Sequence, residues 1–324
     1  MRSKLLQMLM GQQGKFVSGE AISNYLGCSR TAVWKHIEEL RKAGYKVEAI
    51  PRKGYRVIHQ PNLLTKSEIK AGLTTKYIGK NVVYEQSVSS TQEIAHRIAS
   101  DGAEEGTVVV ADEQLGGKGR LGRPWFSPIG SGIWMSLILK PKIPPQQAPQ
   151  LTLLTAVAVI RGIKEQTGLH CDIKWPNDIL LNGKKLVGIL TEMQADPDQI
   201  HSVIIGIGIN VNQDSFPEEI IDIATSLKIE KGEEINRASV MQSIMAQFEQ
   251  LYELFLADGF LPIKQMWEAH AITIGRRITA RTITNSIQGY AKGITDDGVL
   301  LLEDDFGTIH KIYSADIEFN VTSS

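Results

Sequence analysis

The stretch Gly116-Gly117-Lys118-Gly119-Arg120-Leu121-Gly122-Arg123-Pro124-Trp125 follows the apolar, β-type run Thr107-Val108-Val109-Val110-Ala111. Three cations stand among four glycines. Glycine lets the backbone reach positive φ and lets its amides approach a ligand closely. Interleaved Lys and Arg add a positive field and forked donors that suit phosphate or carboxylate. The loop therefore reads as a closure over an anionic ligand, against the plainer reading of a solvated surface loop. Gly117, Gly119 and Gly122 satisfy G-x-G-x-x-G after a strand, but a dinucleotide fold then needs a helix and an acidic residue about 20 positions on. Here Pro124 and Pro128 flank Trp125-Phe126-Ser127, and the next regular run, residues 133–139, is strand-like. A P-loop fails as well, because Lys118 is followed by Gly119 rather than Ser or Thr. A parallel nucleotide-binding fold of either kind is excluded.

Working outward, Ser89-Ser90-Thr91 precedes the helical segment 92–99, whose cap amides and hydroxyls suit a polar ligand group as well as simple capping. A long apolar helix is expected from residue 151 to about 165. Next comes Lys174-Trp175-Pro176-Asn177-Asp178-Ile179-Leu180-Leu181-Asn182-Gly183-Lys184-Lys185-Leu186-Val187-Gly188-Ile189-Leu190-Thr191-Glu192, in which Asn182-Gly183 between apolar runs signals a tight hairpin. Strict alternation puts Lys185 with Val187 and Ile189, and Lys184 with Leu186 and Leu190. Both faces are apolar, so periodicity does not choose which lysine points inward, where it needs an anionic partner. Asp178 reads equally as a Mg²⁺ or nucleotide ligand and as a solvated loop carboxylate. The run Val203-Ile204-Ile205-Gly206-Ile207-Gly208-Ile209-Asn210-Val211-Asn212 is a buried strand whose glycines permit close ligand approach or merely core packing. Helices are expected over 239–256 and 260–270.

The N-terminal region has a different character. Residues 1–60 hold 11 Lys/Arg against 4 Asp/Glu, leaving 24 against 32 for the rest, although the whole chain of 324 residues sums to −1. A basic head on an acidic body is the charge distribution of a DNA-binding module joined to something else. Ser18 caps a short helix to about Leu26, Gly27-Cys28 turns, and Ser29 caps a second helix from Arg30 to about Ala43 with Val33, Ile37 and Leu40 on one face. That is a helix-turn-helix pattern. Ser29, Arg30, Thr31, Lys35 and His36 are then placed for phosphates and base edges. Residues 45–58 form a hairpin with Arg52 and Lys53 at its tip, the wing of a winged helix. The competing reading is a small helical protein-interaction module.

At the other end, residues 277–281, 287–294, 299–303 and 308–313 are short strands broken by Asp297-Gly298 and Phe306-Gly307, which predicts a small β-barrel carrying no catalytic constellation. The 42% apolar content supports a packed core, no stretch reaches membrane-span length, and no signal peptide is seen at the start. Cys28 and Cys171 are too few for a disulfide framework and lack metal-type spacing, so a reducing cytoplasm is expected.

Together the glycine–arginine loop, Lys-Trp-Pro-Asn-Asp at 174–178, Lys-x-x-Gly-Ile-Leu-x-Glu at 185–192 and Gly-Ile-Gly-Ile-Asn at 206–210 resemble the biotin–protein ligases over nearly the whole chain. The basic head makes the match closest to the bifunctional kind that also represses the biotin operon. The resemblance implies an α+β multidomain chain. Its winged helix-turn-helix domain would span 1–60, a central α/β ligase domain with a mixed β-sheet 63–270, and a small SH3-like β-barrel 271–324. It implies two steps: biotin and Mg²⁺-ATP give biotinyl-5′-adenylate, and a lysine of a biotin carboxyl carrier protein then takes the biotinyl group. Carried over by position, Lys185, Arg120 and Arg123 are the catalytic cations. Ser90, Thr91, Gln114, Gly117, Lys118, Arg120, Lys185, Gly188, Gly206 and Gly208 bind biotin. Arg120, Arg123, Trp125, Asn177 and Asn210 bind ATP, and Asp178 holds Mg²⁺. Operator DNA and an adenylate-loaded homodimer are further implied partners, with no membrane. The loop departs from the family's common Gly-Arg-Gly-Arg, with Lys118 in place of the first arginine, a point charge in place of a fork. A lipoate- or octanoate-type ligase and a non-catalytic ligand-sensing repressor are the competing readings.

Overall fold

The computed structural model describes residues 1–12, 14–282 and 285–319. The chain begins with α1 (Arg2–Met10), α2 (Gly19–Leu26) and α3 (Arg30–Lys42), followed by the antiparallel hairpin β1 (Lys46–Ile50) and β2 (Gly54–His59). The expected caps form: Ser18 Oγ accepts from the Ala21 amide at 3.0 Å and Ser29 Oγ from the Ala32 amide at 3.2 Å. Between them Gly27 takes the left-handed conformation (φ 64°) that the tight turn needs. Leu5, Leu6, Leu9, Ile22, Val33, Ile37 and Leu40 close one small core. That core continues past residue 60, because Leu63 and Ala71 pack into it. Ala71 ends α4 (Lys66–Ala71). The fully buried Glu68 carboxylate of α4 accepts from Arg2 Nη2 at 2.7 Å and from Tyr45 Oη at 2.9 Å, fixing the winged head to the body.

The body follows in the order β3 (Val82–Val88), α5 (Thr91–Ser100), β4 (Val108–Gln114), β5 (Gly132–Leu139), α6 (Ala148–Thr167), β6 (Asp172–Lys174), β7 (Asp178–Leu181), β8 (Lys184–Ala195), β9 (Ile200–Asn210), α7 (Leu227–Lys231), α8 (Arg237–Asp258) and α9 (Leu261–Glu268). Its strands make one seven-stranded sheet in the order β3-β4-β5-β9-β8-β7-β6, with β3 and β4 parallel and the other pairs antiparallel. This is the mixed sheet expected of the central domain.

Period-two alternation explains how the sheet is used. Val108, Val110, Met135, Leu137, Val187, Ile189, Val203, Ile205, Ile207 and Ile209 join the main core with α6, α8 and α9. On the opposite face α5 covers only one end, packing Ala95 and Ala99 on Val109, Ile138 and Ile204. The rest of that face carries Ser136, Gly188, Gly206 and Gly208, whose small side chains hollow out a cavity. Arg237, nearly fully buried at the start of α8, ties the sheet to the linker. It donates to Asp112 Oδ1 (2.8 Å), the Gly132 carbonyl (3.1 Å) and the Asn62 carbonyl (2.9 Å).

The tail adds β10 (Arg277–Arg281), β11 (Ser286–Ile294), β12 (Leu300–Glu303), β13 (Ile309–Ile312) and β14 (Asp316–Phe319). They form a five-stranded antiparallel sheet ordered β13-β12-β11-β10-β14. Its buried residues Ile278, Ala280, Leu300, Leu302 and Ile317 are continuous with the body's core rather than separate from it. Among the described residues no helix is long and apolar enough to cross a membrane.

Candidate functional site

The hollow face of the sheet, the glycine loop and the tail enclose a cavity of about 640 Å³. Lys185 reaches it by a route that strict alternation misses. Pairing between β7 and β8 slips at Leu186: Ile179 faces Val187, but Leu180 faces Lys185. One extra residue in β8 returns Lys185 to the side of Gly188 and Asp178, and lets both Leu186 and Val187 be buried. Lys184 is left exposed. The sequence pairing of Lys185 with Val187 and Ile189 is therefore corrected, and a β-bulge is the reason. Lys185 Nζ lies 2.7 Å from Asp178 Oδ1 and 5.4 Å from the centre of the Trp125 ring. That Asp178 oxygen, though buried, accepts no well-directed hydrogen bond.

The floor is built by omission. A Cβ on Gly208 would stand 2.3 Å from Trp125 Nε1, one on Gly188 3.0 Å from Trp125 Cζ3, and one on Gly206 2.8 Å from Gln92 Oε1. The Trp125 indole thus lies flat against two of the three glycines, its buried Nε1 without a hydrogen-bond partner. At the α5 end a polar network lines the wall. Gln114 Oε1 accepts from the Thr91 amide (2.9 Å) and hydroxyl (3.0 Å), while Gln114 Nε2 donates to Ser127 Oγ (3.1 Å). Ser136 Oγ lies 2.9 Å from Thr91 Oγ1 and donates to Gln92 Oε1 at 2.9 Å. Ser90 is the cap of α5, its hydroxyl accepting from the Gln92 amide at 3.2 Å.

The roof is the glycine loop. Gly119 N donates to the Arg123 carbonyl at 2.8 Å, and Leu121 (φ 56°) and Gly122 (φ 73°) make the turn between them. Arg120 Nη1 donates to Asn177 Oδ1 at 3.0 Å, and Arg120 Nη2 to Ser314 Oγ at 2.6 Å. Burial first of all holds the Arg120 guanidinium below its ordinary range, and the charge of Arg123 adds to that. Arg123 pairs with Asp316. Lys118 bends outward to Glu93 at 3.3 Å, both largely exposed, while still bordering the cavity. Gly117 does not border it: a Cβ there would meet Ser127 Oγ and the Trp125 carbonyl at 2.9 Å, so this glycine serves the fold of the loop. Asn177 also donates to the Ile189 carbonyl at 2.8 Å, and Asn210 Oδ1 accepts from Gln213 Nε2 at 3.2 Å, so both amides stand buried in fixed orientations at the cavity wall.

Sequence reasoning missed Gln92, Ser136, Lys174 and the tail residues Ser314 and Asp316. A serine inside the apolar run of β5 was the available signal for Ser136. Lys174 borders the cavity, and its amine is held below the ordinary lysine range, first by burial and also by Lys185. The tail, in which the sequence shows no catalytic constellation, borders the cavity through Ala315, Asp316 and Arg281. In the head, Thr31, Lys35, Arg52 and Lys53 are exposed as expected, Arg30 pairs loosely with Glu20 at 3.2 Å, and His36 Nδ1 lies 3.1 Å from Glu39. Ser29 caps α3, its Oγ accepting from the Ala32 amide while its own O–H stays available to donate. Trp34 is 53% exposed on α3.

Cations converging over an apolar, glycine-floored cavity, with a winged helix attached, define an adenylate-forming ligase joined to a DNA-binding module. Comparison with known proteins agrees. Residues 84–210 match the Biotin/lipoate A/B protein ligase family, residues 2–56 an HTH domain and residues 273–320 the Biotin protein ligase C terminal domain. The chain is 57% identical over 320 residues to the bifunctional ligase/repressor BirA of Bacillus subtilis (strain 168), covering 98% of each. It is 31% identical over 303 residues to that of Escherichia coli (strain K12), covering 93% of this chain and 92% of the relative. The solved biotin protein ligase from Aquifex aeolicus in complex with biotin and ATP superposes with a TM-score of 0.65 at 32% identity, over 74% of this chain and 99% of that one. The chain belongs to the family of bifunctional biotin–protein ligases and repressors.

Proposed function

We propose that the cavity binds biotin along its glycine floor and ATP beneath the basic loop, and that the head carries the loaded protein to operator DNA. An oxygen of the biotin carboxylate attacks the α-phosphorus of ATP. The bond from that phosphorus to the bridging oxygen breaks, and pyrophosphate leaves with its electron pair. A lysine amine of a biotin carboxyl carrier protein then attacks the acyl carbon of biotinyl-5′-adenylate, losing a proton as AMP departs. The observation that carries this reading is the meeting of Lys185, Arg120 and Arg123 at one cavity, two of them held by carboxylates that an anionic ligand can replace.

Each residue has a part. Lys185 exchanges Asp178 for the biotin carboxylate and the α-phosphate, where negative charge gathers in the first step. Arg120 and Arg123 close over the phosphates, and Trp125, Asn177 and Asn210 hold the nucleotide. Ser90, Thr91 and Gln114 offer hydroxyl, amide and carbonyl groups to the ureido ring, and the side-chain-free floor of Gly188, Gly206 and Gly208, on which Trp125 and Gln92 rest, takes the ring and the valeryl chain once the indole lifts. Mg²⁺ when bound neutralises phosphate charge. The described residues contain no cluster of three His, Cys, Asp or Glu able to hold a metal alone. Mg²⁺ is commonly held by one or two carboxylates plus phosphates and waters. The undersatisfied Asp178 oxygen suits that role. In the adenylate-loaded state the chain forms a homodimer competent for operator DNA, and it works in the cytoplasm.

Biotin-dependent ATP–pyrophosphate exchange, with lipoate and octanoate run in parallel, tests the chemistry. Exchange with biotin alone is expected. Exchange with lipoate or octanoate instead would reassign the substrate, and tight biotin binding without exchange would leave only a sensor.

A further inference from the structure

Trp34 is the one tryptophan that the fold leaves outside. Of the five in the chain, Trp134, Trp175 and Trp267 are buried, and Trp125 rests against the glycine floor. Trp34 is more than half exposed, and among the described residues its indole N–H meets no acceptor. It is the fifth of the 13 residues of α3, the helix whose Val33, Ile37 and Leu40 enter the core of the head. The helical repeat turns Trp34 to the outer side with Arg30, one turn before it, and with Thr31 and Lys35, all of them exposed. No other large apolar side chain of α3 is exposed. The carboxylates nearby are engaged: Glu38 by Arg41 at 2.6 Å, Glu39 by His36 at 3.1 Å, and Glu20 of α2 by Arg30 at 3.2 Å. The indole is therefore an apolar plane set among cations, with Arg52 and Lys53 of the wing turn exposed in the same domain. That charge suits a phosphate backbone.

We propose that Trp34 is a specificity-determining residue of the head: its indole face packs on the C5-methyl group of a thymine in the major groove of the operator, with Arg30, Thr31 and Lys35 on the phosphates and base edges around it. This rests on the reading that the head binds operator DNA. The N-terminal half of a recognition helix is the part that meets base edges, and Trp34 lies in that half. Cations attract any duplex, because every duplex carries the same phosphates. An apolar plane is indifferent to phosphate and gains only where an apolar group covers it, and the thymine methyl is the apolar group that the major groove displays. Arg30 and Lys35 then supply affinity, and Trp34 supplies discrimination.

Replacing thymine by uracil removes that methyl and nothing else. The probe is a duplex spanning the segment that the full-length, adenylate-loaded protein protects upstream of the biotin genes, with uracil put in place of each thymine in turn. At the contacted thymine, uracil is expected to weaken wild-type binding about fourfold, what one methyl-sized group gains on leaving water. Trp34→Ala is expected to weaken binding to the unmodified duplex about tenfold, within the range for losing one base contact. Uracil at the same position should then add no further loss. Trp34→Phe, which keeps an aromatic face, should retain part of the uracil penalty. Affinity for an unrelated duplex, and its salt slope, should match wild type in each variant, which a destabilised head would not give. Equal uracil penalties in wild type and Trp34→Ala at every position would overturn the proposal, and so would unchanged operator affinity in Trp34→Ala. A changed oligomeric state in Trp34→Ala with the uracil penalties intact would also overturn it, by placing the indole in a protein contact. Should Trp34→Ala not fold, Trp34→Gln carries the same cycle. If the wild type protected no segment, the operator reading would fall and this proposal with it, whereas protection without the uracil signature would overturn this proposal alone.

Discussion

The wing turn at 51–54 and the glycine loop at 116–123 are both short, glycine-bearing and basic, yet the structure treats their charges in opposite ways. Arg52 and Lys53 stand exposed, and among the described residues neither takes part in an ion pair. Arg120 and Arg123 are both engaged, by Asn177, Ser314, Ala315 and Asp316. The difference follows from the ligands. A DNA backbone presents many phosphates over a long surface, and cations that neutralise it act mainly by releasing counterions, which needs access rather than fixed orientation. A single acyl phosphate presents charge at one point and for one moment, so its cations must be in place beforehand. One loop is free because its partner is extended, and the other is held because its partner is small.

The comparison breaks most readily at Lys185. Lys185→Met and Arg120→Gly are each expected to lower biotin-dependent pyrophosphate exchange by about 10²- to 10³-fold, the range for removing one charge-stabilising group from an active site. Near-normal exchange in both would remove the assigned roles. In the head, Arg52→Ala with Lys53→Ala is expected to weaken operator binding on the order of 10- to 100-fold and to flatten its dependence on salt by about two ion equivalents. Exchange should be untouched. If the double variant bound DNA with an unchanged salt slope, the wing would not be the phosphate contact that its exposure suggests.

How much of this was legible in the sequence differs between the same two regions. The head was read almost completely, because caps, turn glycines and a three-residue apolar face are local signals: Ser18, Gly27, Ser29, Val33, Ile37 and Leu40 do in space what their spacing implies. What escaped was non-local, namely that Ala71 and Glu68 complete its packing from beyond the linker. In the body the motifs located the cavity, but the facing of Lys185 depended on a bulge that appears only when β7 and β8 are paired. Which tail residues join the site was invisible for the same reason. Ser314 and Asp316 carry no motif, and meet the glycine loop only after the small sheet docks against the body through shared core residues.

The floor of the cavity gives a middle-sized test. Gly208→Ala puts a methyl 2.3 Å from Trp125 Nε1, so the indole must lift from the sheet. A misplaced nucleotide platform should lower exchange about tenfold and shift the tryptophan emission of the ligand-free protein. Operator affinity per adenylate-loaded chain should stay the same. Unchanged exchange would mean that Trp125 holds nothing that matters to the chemistry.

The smallest expected effect returns to the head. Ser29→Ala removes the hydroxyl that accepts from the Ala32 amide and leaves that donor at the start of α3 to water. The loss should be about 1 kcal/mol of head stability, seen as earlier amide exchange across α3 with the body's exchange unaltered. Because the cap also sits at the end of α3 nearest Arg30 and Thr31, operator affinity should fall only by the share of heads that unfold, and the salt slope should not change. That constancy separates a cap from a phosphate contact: a variant that lost both stability and one ion equivalent of salt dependence would place the Ser29 hydroxyl on the DNA after all.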